Sequence, residues 1–84
     1  MAGVKFALIH GPPVGPVTWQ WVAEALASAG HSVVVPDLRR AAMSGDAAVV
    51  VSEAVAACPG DTDVVVGHSG AGLLLPAIAN ALST

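Results

Sequence analysis

Three short apolar runs and three helical periodicities account for most of the chain. Residues 4–9, 32–35 and 64–66 are nearly continuous in apolar side chains and rich in Val and Ile. Short, unbroken runs of β-branched residues predict strands buried on both faces. Between them, apolar positions recur every three or four residues. Trp19, Val22, Ala23 and Leu26 share one side of a helix predicted over 17–29, with Thr18 or a neighbour as its cap and Gly30 as its stop. Ala47, Val50, Val51, Ala54, Val55 and Cys58 do the same over 44–58, where Ser44 or Asp46 opens the helix and Pro59-Gly60 ends it. A third helix is predicted from Gly70 towards Leu82, burying Leu73, Leu74, Ala77, Ile78, Ala81 and Leu82. Pro76 lies inside it and is expected to remove an amide and bend it.

The order is strand, helix, strand, helix, strand, helix. Alternation at this spacing implies parallel strands joined by right-handed crossovers. The predicted fold is a single α/β domain over residues 1–84, a three-layer α/β/α arrangement around a three-stranded parallel sheet of order 2-1-3. The first strand is central, and the chain leaves it in opposite directions. Ligands of such sheets bind at the carboxyl ends of the strands flanking that reversal. Two loops meet there, 10–17 after the first strand and 67–72 after the third.

Composition narrows the function. Hydrophobic residues make up 55% of the 84 and charged residues 11%, far below the usual charged share of about 25%. Such a composition argues against disorder, and so much apolar surface points to an oligomer, a self-associating chain or a piece of a larger fold. The net charge is −3, and Lys5, Arg39 and Arg40 form no basic patch, which argues against nucleic acid. A single cysteine, Cys58, allows no intrachain disulfide and no cysteine-rich metal site. The first residues lack a signal-peptide pattern, and the uncharged stretch 64–84 is broken by Gly-His-Ser-Gly and by Pro76, so no membrane span is expected. The cytoplasm is the expected compartment.

The candidate chemistry lies in residues 63–72, DVVVGHSGAG. A serine in a tight strand-to-helix turn is held clear of the sheet in a strained backbone conformation, and its neighbours two positions away must be small. Gly67 and Ala71 meet that demand around Ser69. The following helix aims its first amides, Gly70 foremost, at the site, where they stabilise a developing oxyanion.

Gly67-His68-Ser69-Gly70-Ala71 resembles the Gly-x-Ser-x-Gly nucleophile elbow of the α/β-hydrolases, with Ala71 in the place of the last glycine. Leu8-Ile9-His10-Gly11, with Gly15 and Trp19, is similar to that family's His-Gly oxyanion loop. Ala29-Gly30-His31 followed by Val33-Val34-Val35-Pro36-Asp37-Leu38 is similar to its next strand. The resemblance covers nearly the whole chain and is nearest to small esterase-like members, among them methyl-ester esterases and hydroxynitrile lyases. It implies a serine nucleophile at Ser69, an oxyanion donor at Gly70 N–H, a substrate loop of His10, Gly11 and Pro12, and an elbow shaped by Gly67, His68 and Ala71. The implied substrate is a small carboxylic ester or another apolar carbonyl compound, and no metal or organic cofactor is implied.

Two departures limit what this chain does alone. The family's second oxyanion donor is the amide after His-Gly, here Pro12, which has none. Losing such a donor costs roughly 2.7–4 kcal/mol of transition-state stabilisation unless Val14 or Gly15 replaces it. The family's acid and histidine follow the serine in the chain, yet no Asp, Glu or His follows Ser69 here. His68 sits inside the elbow, His10 suits a loop brace, and His31 belongs at the opposite end of its strand. Asp37, at a strand end, suits a pin for the following loop better than a catalytic acid. Without a base a serine hydroxyl is a weak nucleophile. The sequence therefore reads as the amino-terminal part of a hydrolase, inactive alone, without cap, acid or base.

Two other readings compete. The spacing of Gly67, Gly70 and Gly72 is not that of a phosphate-binding loop, and no Lys-Ser/Thr follows. A non-catalytic ligand-binding or assembly protein on half of a hydrolase fold remains open, with self-association through an exposed sheet edge.

Overall fold

The computed structural model describes residues 3–11 and 15–82. Strand β1 (Lys5–Ile9) leads through a 3₁₀ turn (Pro16–Trp19) into helix α1 (Gln20–Ser28). Strand β2 (Ser32–Val34) is followed by the short α2 (Arg39–Met43) and by α3 (Ala47–Ala57). Strand β3 (Val64–Gly67) runs into a second 3₁₀ segment (Ser69–Leu74) and then α4 (Leu75–Leu82). The sheet is parallel throughout, in the order β2-β1-β3. That is the order expected from the alternation of elements, with the most buried strand in the middle.

Register decides which side chains meet which helices. Phe6 is opposite Val33 and Val64, Ala7 opposite Val34 and Val65, and Ile9 opposite Gly67. Successive side chains point to opposite faces. Ala7 and Ile9, both fully buried, therefore share a face and pack in one core with Leu38, Ala41, Val50, Ala54, Cys58, Ala71, Ile78 and Leu82. This is the face covered by α2, α3 and α4. Phe6 and Leu8 point the other way, to the side on which a right-handed crossover places α1. Leu8 is buried there, but no residue of α1 is.

That asymmetry corrects part of the sequence reading. The expected apolar face of the first helix is only half-buried at Trp19, Ala23 and Leu26, and Val22 is exposed. Among the described elements α1 has that face of the sheet to itself, so nothing closes over its flanks. Thr18 does not cap it; the 3₁₀ turn begins after Gly15, whose carbonyl accepts from Thr18 N–H. In the third helical region Ile78 and Leu82 are buried as expected, but Leu73 is 88% exposed and Ala77 and Ala81 are exposed. Residues 69–74 form a 3₁₀ segment with three residues per turn, so spacing counted at 3.6 places Leu73 on the wrong side. Pro76 does not sit inside an α-helix: it is the second residue of α4, in the first turn, a position that proline tolerates, where the 3₁₀ segment gives way to the α-helix.

Helix ends follow local chemistry closely. Gly30 has φ of 92° and closes α1 with the paired bonds Gly30 N–H to Ala27 O and His31 N–H to Leu26 O, the αL closure that glycine adopts at no steric cost. Of the two proposed starts for the 44–58 helix, Asp46 is the cap of α3, accepting from Ala48 N–H at 2.9 Å. Helix α2 has no counterpart in the periodicity, because five residues are too few to show one. Asp37 starts it locally, its carboxylate accepting from Arg39 N–H.

Candidate functional site

The carboxyl ends of β1 and β3 lie side by side. Ile9 and Gly67 are register partners, and His68 N–H donates to Ile9 O at 3.1 Å. The two segments singled out in the sequence, His10-Gly11 and His68-Ser69, therefore leave the sheet next to each other, at the point where the strand order reverses. Pro12 and Val14, the residues on which the oxyanion-loop expectation turns, lie outside the described residues.

Gly67 is small for a reason the structure makes explicit. A Cβ built there would sit 3.0 Å from three side-chain atoms of Leu75, the first residue of α4. The close approach of strand and helix thus depends on glycine at this position. Ala71 is 1% exposed and is itself part of the core, and its N–H donates to His68 O at 3.2 Å. The chain enters the 3₁₀ segment through an extended His68 (φ −122°, ψ 132°), and Ser69 is its first residue. A helical turn at Ser69 differs from the strained corner expected there: the 3₁₀ turn already tightens the passage. Gly70 comes next, in the first turn, where amides have no acceptor within the helix by position.

His10 is a brace. It is 2% exposed, and its Nε2 accepts from Leu38 N–H at 2.8 Å. An accepting Nε2 puts the ring hydrogen on Nδ1, which donates to Gly11 O at 2.8 Å. Both nitrogens are engaged with backbone, so His10 ties the loop after β1 to the loop after β2 and has no nitrogen left to take a serine proton. Gly11 is buried beside it, its carbonyl held by the ring.

His68 presents an exposed ring whose edge meets Trp19, with centroids 6.1 Å apart and planes at 81°. Trp19 Nε1 is buried without a hydrogen-bond partner among the described residues. His31 lies at the other end of the sheet. Its Nδ1 accepts from Val4 N–H at 3.0 Å and its ring packs edge-on against Phe6, a role in holding the start of β1.

Arg39 is the group at this end that the sequence reading passed over. Its side chain runs beside Gly15, where a Cβ would lie 2.9 Å from Arg39 Cδ, so it lies against the β1 loop. It forks onto Asp37 through Nε (2.9 Å) and Nη2 (2.6 Å). The guanidinium and the Arg39 amide, both donating to the carboxylate, bring the Asp37 pKa down to about 2, and Arg39 is raised in return. Asp37 is thereby a loop pin held as a carboxylate, as its position suggested. The arginine fork beside an aspartate two positions away was the legible signal.

The remaining reactive groups stand apart. Burial pushes the Cys58 thiol up and leaves it a packing residue. No group of three or more His, Cys, Asp or Glu side chains among the described residues is placed to hold a metal ion. No helix among them is long and apolar enough to cross a membrane. Clefts open at several places around the sheet, one of about 450 Å³ between Asp37, Arg40, Ala41, Val49 and Glu53. Another of about 260 Å³ opens at the amino end between Lys5, Phe6, Ser32 and Thr62, far along the strands from Ser69. A third, about 250 Å³, lies between the α2–α3 turn and the 3₁₀ segment that Ser69 opens, with Val50, Leu73 and Leu74 in its walls. Cleft size does not single out Ser69's end of the sheet; the strand reversal does, because β1 and β3 end there side by side. No family model, curated protein or solved structure matches this chain.

Proposed function

We propose that the chain is the nucleophile-bearing, amino-terminal part of a serine α/β-hydrolase acting on small carboxylic esters. The observation that carries this reading is the meeting of His10-Gly11 and His68-Ser69 at adjacent carboxyl ends of β1 and β3. The β2-β1-β3 order, with α1 against one face and α3 and α4 against the other, suits that fold. In this reading Ser69 Oγ attacks the ester carbonyl carbon, its proton passes to a base, and Gly70 N–H donates to the oxyanion. Collapse of the tetrahedral adduct expels the alcohol and leaves an acyl-serine for water to cleave. His10 cannot be that base, since both its nitrogens are bound, and the base and its carboxylate come from outside these 84 residues. The chain alone then does not turn over p-nitrophenyl acetate above background.

Exogenous imidazole supplies the missing function and so tests the proposal. A fluorophosphonate is expected to label Ser69 slowly in its absence. With imidazole, labelling of Ser69 rises selectively over the other serines, as read by peptide mass spectrometry, and is lost in Ser69→Ala. Labelling spread evenly over all serines overturns the nucleophile assignment. Fast Ser69 labelling without imidazole overturns the external base.

A further inference from the structure

Both outer strands of the sheet, β2 and β3, pair only with β1 and turn alternate backbone groups outward. In a parallel strand, successive N–H and C=O pairs point to alternate sides. His68 N–H donates to Ile9 O, and the β1–β3 register runs from Phe6–Val64 to Ile9–Gly67. Val64, Val66 and His68 therefore face β1, and Val65 and Gly67 turn their backbone groups outward. Asp63, just before the strand, bends its N–H back to Lys5 O. By the same parity Ser32, which donates to Val4 O, faces β1 and Val33 faces out.

The two edges differ in protection. β2 is three residues long and runs into the buried Pro36, and both shortness and proline discourage pairing. β3 carries Val-Val-Val-Gly with no charge, no proline and no bulge, and each of its residues is only half-buried. An unpaired backbone N–H or C=O sheltered by such side chains costs free energy comparable to a lost hydrogen bond.

We propose that β3 is a self-pairing edge, and that a second copy of this chain adds its own β3 antiparallel across a two-fold axis to give one continuous sheet. A second copy fits because an antiparallel edge is self-complementary under a two-fold: Val65 and Gly67 of each copy present the donors and acceptors the other needs. Charge permits it too, since antiparallel pairing sends the two Asp63 side chains to opposite ends of the ladder and leaves only uncharged residues between them. The inference uses no property of Ser69, and it concerns this 84-residue chain, in which β3 is an edge; further strands of a longer hydrolase sheet would occupy the same edge.

The test is light scattering across a dilution series, combined with residue-resolved amide exchange of the 84-residue chain. The expected result is a dimer at high concentration in which the Val65 and Gly67 amides exchange about tenfold or more slower than on dilution. Val64 and Val66, bonded to β1, stay protected at both extremes. A monomer throughout, a polydisperse aggregate, a dimer with unchanged exchange at Val65 and Gly67, or a dimer that protects Val33 instead would each overturn it.

Discussion

Replacing His10 probes the brace that joins the two loops of the site, and the structure fixes the order of effects. The ring is 2% exposed and makes two backbone bonds of 2.8 Å, accepting from Leu38 N–H through Nε2 and donating to Gly11 O through Nδ1. His10→Ala leaves a buried donor and a buried acceptor unpaired, at roughly 1–3 kcal/mol each, and empties the ring's volume. Partial collapse and entry of water recover some of this, so the expected loss is roughly 3–5 kcal/mol, a large part of the stability of a domain this small. The conservative variants separate the two bonds. A Gln side chain places an acceptor near the Nε2 position and keeps Leu38 satisfied, so His10→Gln costs roughly 1–2 kcal/mol. An Asn side chain places a donor near Nδ1 and keeps Gly11, but strands the buried Leu38 N–H, so His10→Asn costs roughly 2–3 kcal/mol. Urea unfolding resolves these differences, since a slope of about 1 kcal/mol/M turns each into a midpoint shift of the same number of molar units. An alanine loss below about 1 kcal/mol, or Asn milder than Gln, would refute the assigned ring roles.

Three further outcomes are expected. Gly67→Ala pushes a Cβ to 3.0 Å from Leu75 and should cost roughly 1–3 kcal/mol. Adding Leu75→Ala should recover part of that cost, and simple additivity in urea unfolding would show that the two residues do not clash. Gly30→Ala, at φ of 92° with open space around the site, should cost about 1–2 kcal/mol from backbone strain alone, seen as a fall in Tm on the order of 4–8 °C per kcal/mol. The Asp37 pKa is depressed to about 2 from 3.8 by Arg39, so its stabilising contribution is present above pH 3.8 and is lost as pH falls through about 2. Stability should therefore fall less steeply from pH 4 to 2 in Asp37→Asn than in the wild type, and equal slopes in denaturant titrations would contradict the fork.

Much of the fold was legible because strand runs and helix stops are written locally. Val-rich runs marked the strands, Gly30 marked the end of α1, and the alternation of elements gave the β2-β1-β3 order. What escaped the sequence depends on tertiary context. Leu73 looks buried at a 3.6-residue period, but the segment it occupies is 3₁₀. Val22 looks buried, but α1 covers its face of the sheet alone. Pro76 looks like a break, but the α-helix begins only at Leu75. At the site, Gly67 announced a tight turn without showing that Leu75 is what it admits. His10 was readable as a brace, whereas its partner, the Leu38 amide 28 residues on, was not. Arg39 could be paired with Asp37 by spacing, but its contact with Gly15 joins two loops that sequence distance separates.

The central claim is that an apolar carbonyl compound meets this protein where β1 and β3 end. Residue-resolved amide shifts on titration with 2-hexanone, an apolar carbonyl that cannot be hydrolysed, test it directly. The account predicts the largest changes at Gly11, at 67–71 and at the Trp19 indole N–H. Changes confined to Lys5, Phe6, Ser32 and Thr62, around the cleft at the opposite end of the sheet, would contradict it.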